Sequence, residues 1–452
     1  MGYVELGFTQ RLARFASAST FGDLPPEVVD ISKNMMIDAA AVGLAGAAQP
    51  EGRALIAFVQ EMRGNGKCTI IWQGLRTTPV NAALANGTVV RLLDFDDEIA
   101  GRDTHPSSVV FPVVMALGEM NGDHGQEVLN AFALGCEVTS NLALSGRPSE
   151  EATTANEDRV WHREGVAATI GAAVAASRLL GLGQEQTENA IGMANEGAGG
   201  IHANSASPSA ALQYGRAAMN GITAALLAQR GFADSGPRTE APPIEDEDGF
   251  FRRLANPYHV VQPGVTFKVY PCHSASHTSI EAVLQLTQQY RIEPGQIESV
   301  KVRLDPSMSR ALPFHHPQSA WEAKRSLEYS VAAALLSGQP LLEQYTDNAV
   351  QSPEIEQMMR RVAVEPVAEA NPLLAGASTV TLGLSGGRQL EHRVELARGR
   401  PELALDREEL DAKFLYCSRY ILPPDHIEGA IEQFRDLENV KDITGLASIL
   451  GG

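Results

Sequence analysis

The sequence predicts a mainly α protein: a large helical domain assembled from both ends of the chain, with a smaller α/β domain between them. Three observations carry this. From 1 to 262 the apolar residues recur at helical spacing, with almost no strand alternation. Alternation at period two begins near 263 and ends near 400, interrupted by helical stretches. From 406 the helical pattern returns to the end of the chain, and this last segment packs most economically on the first. A chain of 452 residues is also too long for one ordinary core.

Taken in order, residues 5–22 place Leu6, Leu12 and Phe15 at helical spacing. Asp23-Leu24-Pro25-Pro26-Glu27 starts a second helix, about 27–47, because proline suits a first turn and an acid suits the N-terminal dipole. Val28, Val29, Ile31, Met35, Ile37 and Ala40 give it a broad apolar face. A third helix, about 51–63, stops at Gly64-Asn65-Gly66, and residues 68–72 read as a short strand. Helix resumes over 78–93 and dominates 107–230, broken by a polar loop at about 199–210. The small residues of 164–182 (EGVAATIGAAVAASRLLGL) let neighbouring helices approach closely. Residues 232–249 read as an ordered surface loop. VTFKVYPC and ESVKVRLDP are strand-like, with a helix over about 276–290 between them and another at about 320–337. STVTLGLSGGRQLEHRVELA is a hairpin about a Gly-Gly turn.

The composition narrows the partners. A formal net charge of −19 argues against nucleic acid or an anionic membrane, and leaves an anionic small molecule open where a few cations line a cleft. The first residues carry no signal-like segment, and no apolar run is long enough to span a bilayer. The four cysteines lie far apart with no CxxC pair, as reduced core thiols of a cytoplasmic protein would. No GxGxxG or Walker loop is present, which weakens nucleotide-cofactor readings.

The chemistry-bearing residues gather in three places. Residues 91–117, RLLDFDDEIAGRDTHPSSVVFPVVMAL, set Asp94, Asp96, Asp97 and Glu98 eleven residues or fewer before His105. Crowded carboxylates raise one another's pKa and can serve as bases or orient a histidine. Pro106 keeps His105 out of the α region and so fixes its aim. His162 and Arg163 introduce a helix, where the dipole favours a neutral imidazole and the guanidinium could fork a carboxylate. FKVYPCHSASH gathers Lys268, Tyr270, Cys272, His273 and His277 where the character of the chain changes, a favoured place for sites. A metal on His273 and His277 is set aside for want of an HExxH pattern. Solvated acids and capping histidines use the same residue types, and singly these residues do not choose between the two uses.

Together they do. LDFDDEIAGRDTHPSSVVFPVVMALGE, WHREGVAATIGAAVAASRLLGL, GRAAMNGITAALLAQRGF, EDEDGFFR, FKVYPCHSASH, EAKRSLEYSVAAALL and DREELDAKF follow one another in an order that resembles the MmgE/PrpD family. That family includes 2-methylcitrate dehydratases, cis-aconitate decarboxylases and iminodisuccinate epimerases. The resemblance implies a helical domain over 1–264, an α+β lid over 265–402, and C-terminal helices over 403–452 returning to the first. It also implies a cleft between domains, a homodimer, a small carboxylate substrate and no cofactor or metal. It places Asp94, His105, His162 and His277 at the family's acid and histidine positions, and Lys268 at a family lysine.

Departures bear on the substrate. Where decarboxylase-like members carry Thr-Lys-x-Leu-His, this chain reads Ser209-Ala210-Ala211-Leu212-Gln213, so a substrate-holding lysine and a histidine become Ala210 and Gln213. Glu98 replaces a threonine. These changes argue against a tricarboxylate. The expectation is a cofactor-independent, dehydratase-type lyase that moves a proton at a carbon next to a carboxylate, with epimerase, decarboxylase and non-catalytic binding protein as alternatives. His105 and His162 are the expected base and acid on opposite faces, in either order, with Asp94 orienting a histidine. Lys268, His277 and Arg102 or Arg163 would stabilise charge, with Glu98, Gln213 and Tyr270 at the substrate.

Overall fold

The structure, a computed structural model, describes residues 7–62, 64–72, 74–145, 163–198, 207–233, 246–371 and 374–452. By their contacts they form two units: one takes in the chain up to Leu92, Asp96–Val265 and Asp406–Gly452, the other Leu93–Phe95 and Thr266–Leu405.

The first unit is helical. Its helices are α1 (Phe8–Ala18), α2 (Pro26–Ala47), α3 (Pro50–Met62), α4 (Pro79–Arg91), α5 (Pro106–Asn121), α6 (Gly125–Ser145), α7 (Arg163–Leu179), α8 (Gln184–Gly197), α9 (Pro208–Gln229) and α10 (Glu247–Arg253). Short strands β1 (Cys68–Thr69) and β2 (Arg76–Thr77) pair antiparallel, and β3 (Glu98–Ile99) and β4 (Val265–Thr266) are two residues each. The sequence explains how the helices crowd together. A Cβ on Gly215 of α9 would lie 2.2 Å from the Leu84 carbonyl oxygen of α4, so the two helices meet backbone to backbone. The side chains at the ends of this contact, Arg91 and Tyr214, are thereby brought together.

The second unit holds α11 (His277–Tyr290), α12 (Pro306–Arg310), α13 (Ala320–Ala323), α14 (Leu327–Ser337), α15 (Asp347–Val350) and α16 (Pro353–Met359). Its sheet has the order β6-β5-β7-β8, from β5 (Ile297–Leu304), β6 (Val362–Pro366), β7 (Ser378–Leu384) and β8 (Gln389–Val394). β5 pairs parallel with β6 and antiparallel with β7, and β7 and β8 form the hairpin. Its turn uses Gly386 and Gly387 at φ 89° and 82°, which glycine alone adopts freely. Alternate residues Val300, Val302, Val380 and Leu382 are buried in one core with Ile280 and Val283 of α11 and Val331 of α14.

The last segment returns to the first unit as α17 (Arg407–Ser418), α18 (Pro424–Arg435) and α19 (Thr444–Gly451). It is fastened by ion pairs, Lys413 to Asp38 at 2.6 Å and Lys33 to Glu438 at 3.0 Å, and by the Trp72 amide donating to the Leu450 carbonyl.

Several local expectations need correction. VTFKVYPC forms a strand only over Val265–Thr266, because the chain beyond turns to bury Lys268 rather than continue a ladder. The helix expected over 320–337 is two helices: Ser326 is extended and its hydroxyl caps the second by accepting from the Tyr329 amide. α9 begins at Pro208, inside the expected polar loop, because proline fits its first turn. The expected loop over 232–249 gives way to helix at Glu247, capped by Asp246, and 234–245 lie outside the described residues. β6 carried no distinct alternation in the sequence reading.

Candidate functional site

In the first unit the chemistry gathers on His105, whose side chain is fully buried. Its place is set by the start of α5. Pro106 occupies the first helical position, and the His105 amide donates to Glu164 Oε1 at 2.6 Å. The next two residues hold the acids: Ser107 donates to Asp97, and Ser108 donates to Asp96 Oδ2 at 2.5 Å. Ser107 and Ser108 are thus hydrogen-bond donors to the carboxylates that precede the loop.

Both ring nitrogens of His105 face oxygen acceptors. Nδ1 lies 2.9 Å from the Asp97 carbonyl oxygen and 3.2 Å from Asp96 Oδ2, and Nε2 lies 3.1 Å from Asp103 Oδ1. A neutral ring could donate from Nδ1 to the Asp97 carbonyl and accept at Nε2 from Arg91, whereas the imidazolium donates to the oxygen acceptors on both sides. Electrostatics favour the imidazolium. Burial and the Arg91 guanidinium work against the charge, but the charge of Asp96 and the hydrogen bonds the ring donates to Asp103 and Asp96 outweigh them, raising the His105 pKa to about 10. Arg91 Nη2 lies 3.3 Å from Nε2 while Nη1 pairs with Asp96 Oδ1 at 3.0 Å. Two cations are therefore clamped around one buried aspartate. Asp97, buried and beside Asp38 and Asp96, is pushed up to about 8 and is neutral at pH 7.

Tyr214 closes this cluster. Its hydroxyl donates to Glu164 Oε2 at 2.7 Å, its ring stands edge-on to His105 at 6.2 Å, and the Arg91 guanidinium sits 5.2 Å over it. Burial, above all, raises the Glu164 pKa. Among the described residues Glu98, Asp103 and His105 offer donor atoms within 4.8 Å of one another, a spacing a cation could use. Arg91 already brings a positive charge to the same imidazole nitrogen, so the donor set does not fit a divalent ion.

In the second unit the chemistry gathers on Lys268, which is 1% exposed. Its ammonium donates to Asp94 Oδ1 at 2.7 Å and to the Asp94 carbonyl at 3.3 Å. Asp94 sits at φ 53°, a left-handed conformation that aspartate tolerates better than most residues. That turn lets its carbonyl and carboxylate hold the same ammonium. His277 opens α11, fully buried, with Nε2 3.3 Å from the Cys272 carbonyl and Tyr270 edge-on at 5.2 Å. Burial first, then the Lys268 charge, lower its pKa to about 3, so it is neutral. His273 Nδ1 accepts from the Ala275 amide, a capping use.

The sequence-derived residues therefore divide. His105 and Glu98 are buried in the first unit; Asp94, Lys268, Tyr270 and His277 are buried together in the second. Arg102 is exposed and Gln213 is half-buried on α9. Arg163 opens α7, and His162 lies outside the described residues. The carboxylates on the His105 ring are those of Asp96 and Asp103, while that of Asp94 meets Lys268. Arg91, Asp103, Glu164 and Tyr214 had not been singled out. The available signal was an arginine ending an apolar helix immediately before four acids.

A helical unit built around a buried, charged imidazole, with an α/β unit built around a buried lysine–aspartate pair, defines a two-domain protein equipped for acid–base chemistry. The MmgE/PrpD N-terminal domain model matches residues 10–261 and the MmgE/PrpD C-terminal domain model matches 270–439. The chain belongs to the MmgE/PrpD family. It is 28% identical to the cis-aconitate decarboxylase of Homo sapiens, covering 98% of this chain and 94% of that protein. It is 25% identical to the cis-aconitate decarboxylase of Aspergillus terreus over 98% of this chain and 96% of that one. A probable 2-methylcitrate dehydratase of Saccharomyces cerevisiae is 23% identical over 63% of this chain and 59% of its own length.

Proposed function

We propose that the protein is a lyase acting on a small organic acid, by dehydration or decarboxylation, with His105 as proton donor. The observation that carries this is the double acceptor environment of the His105 ring: it keeps a proton on the ring at neutral pH, available to a more basic atom such as a departing hydroxide or a carbanion. In a dehydration it would protonate the departing hydroxyl. In a decarboxylation it would protonate the carbanion left by carbon dioxide. Arg91 would oppose the negative charge that develops on the reacting acid. The relatives named for cis-aconitate decarboxylation span almost the whole chain, which supports the decarboxylase form as well as the dehydratase form. Ala210 and Gln213, both on α9, favour a smaller acid than a tricarboxylate.

Asp94, Lys268, Tyr270 and His277 form the proposed second group of site residues: Lys268 as charge stabiliser, Asp94 as its holder, and His277 as a neutral imidazole. With His105 as the acid, His162 is proposed as the base, and Glu98, Arg102, Arg163 and Gln213 at the substrate. The proposed homodimer and cytoplasmic location belong to the same reading, and no described helix is long and apolar enough to cross a membrane.

The test is incubation in deuterated water with a panel of small di- and tricarboxylic acids, cis-aconitate and 2-methylcitrate among them, followed by mass spectrometry and NMR. Loss of water or carbon dioxide, abolished in a folded His105→Ala variant, is the expected result. Exchange at carbon with neither loss would move the assignment to an epimerase. No change in any panel member would overturn the enzymatic reading.

A further inference from the structure

A buried acid that gives up its proton must be recharged. Among the described residues the His105 ring meets Arg91, Asp96, the Asp97 carbonyl, Asp103 and Tyr214. Arg91, Asp96, Asp97 and Tyr214 are all at least nine-tenths buried. The Asp103 side chain is 58% exposed, although its Oδ1 lies 3.1 Å from Nε2 of a ring that is 0% exposed. Nδ1 is turned inward, to Asp96 and the Asp97 carbonyl, so Nε2 is the nitrogen with a way out. Asp103 stands on the exposed turn Gly101–Asp103, where Gly101 adopts φ 70° with open space around its α-carbon.

We propose that Asp103 is a proton relay, recharging His105 from bulk water between turnovers. The proposal rests on His105 acting as the acid. The proton leaves Nε2 for the substrate, and the ring becomes a neutral imidazole with a lone pair at Nε2. The Asp103 carboxylate takes a proton from water or a buffer acid. Its O–H then protonates Nε2, restoring the imidazolium and the carboxylate. Substrate and Asp103 take turns at Nε2, which is why the relay belongs on an exposed turn and not on a helix. The return step runs toward the ring, whose carboxylate surroundings favour the imidazolium. Asp103 acts through His105 and is a relay, not a catalytic residue. The other groups facing the ring cannot substitute: Arg91 stays charged, Asp96 is enclosed, Asp97 is neutral, and Glu164 is engaged by the His105 amide and the Tyr214 hydroxyl. Asp38 and Lys413, behind Asp97, pair with each other.

The test needs no substrate. In the full chain labelled with 15N-histidine, the exchange of the His105 Nε2 proton with water is measured by NMR, the signal being assigned by its loss in His105→Gln. A positioned proton-transfer group is worth about 10²–10⁴-fold. Asp103→Asn, of the same shape, should slow the exchange by about 100-fold or more, and Asp103→Glu should restore it to within about tenfold. Exchange in Asp103→Asn as fast as in the parent chain would overturn the relay. So would slow exchange in both variants, which would mark Asp103 as packing alone. Turnover retained in His105→Ala would instead sink the acid assignment, an outcome read separately from this exchange.

Discussion

The charge on His105 can be challenged directly by removing its inner counter-ion. Asp96→Asn keeps the size of the side chain and deletes its charge. The carboxylate stands 3.2 Å from Nδ1, and at an effective dielectric of about 20 two full charges at that distance attract by about 5 kcal/mol. The asparagine amide oxygen can still accept from Nδ1, which retains part of this attraction, so the net loss at the imidazole is on the order of 2.5 kcal/mol. That corresponds to a nearly hundredfold loss of proton affinity at the ring, at about 1.4 kcal/mol per tenfold. Because Arg91 also loses its partner and remains beside Nε2, the direction is secure: the His105 pKa falls from about 10. The assay is an NMR titration of the His105 ring carbons in both proteins, with Ser108→Ala as the control that frees a hydrogen bond and leaves the charge. The pH above which turnover is lost should retreat in step. A change in proton affinity below about threefold, or an increase, would refute the inner-acceptor account and leave Asp103 as the whole cause.

Three other outcomes follow from the contacts of the two buried clusters. Lys268→Met should destabilise the second unit by about 3–5 kcal/mol in urea unfolding, because it strands the buried Asp94 carboxylate, and the double change with Asp94→Asn should cost less than Lys268→Met alone. The same change should raise the His277 pKa from about 3, since the ammonium is one cause of its depression. Melting temperature against pH should form a dome. Relative to a free histidine at 6.5, the raised His105 contributes stability that is complete below pH 6.5 and is lost as the pH rises through 10. Asp97 tilts the plateau: its unfolded carboxyl ionises near the free value of about 3.9 while the folded one keeps its proton to about 8, so its contribution is complete below about pH 4, falls as the pH rises to 8 and is constant above. His277 works from the acid side: the unfolded ring takes up a proton below pH 6.5 that the folded ring refuses until about pH 3. His105→Gln should flatten the alkaline limb and His277→Gln the acid limb.

How much of this the sequence carried depends on whether the signal was periodic or relational. The mainly α architecture was legible because apolar spacing at 3.6 and at 2 changes visibly at the segment boundaries, and the Gly-Gly hairpin announced itself. β6 was not legible, since its residues Val362–Pro366 are largely exposed and alternate weakly. His105 was found because Pro106 and the neighbouring acids mark it. Its partners were not, because Arg91, Glu164 and Tyr214 reach it from three different helices, of which α4 and α9 meet at Gly215. Within one acidic run, spacing could not tell which aspartate serves which cation. The left-handed turn at Asp94 sends its carboxylate to Lys268, and the serines of α5 keep Asp96 and Asp97 by His105.

That division bears on which proposed reaction the site suits. Epimerisation at carbon needs a base on one face and an acid on the other at the same moment. Decarboxylation needs no base at carbon, because the departing carbon dioxide leaves its electron pair behind; it needs a cation to hold the charge and an acid to quench it. Dehydration needs both the acid and a base elsewhere. The described cluster around His105 is rich in the first requirement and poor in the second: an imidazolium, a guanidinium, and carboxylates that are ion-paired, hydrogen-bonded or held neutral. On the proposed reading the base is His162, outside this cluster. His105→Ala should consequently damage decarboxylation and dehydration through their protonation steps, while a base variant such as His162→Ala should spare decarboxylation and abolish dehydration. Equal loss of both reactions in His162→Ala would contradict this division of labour.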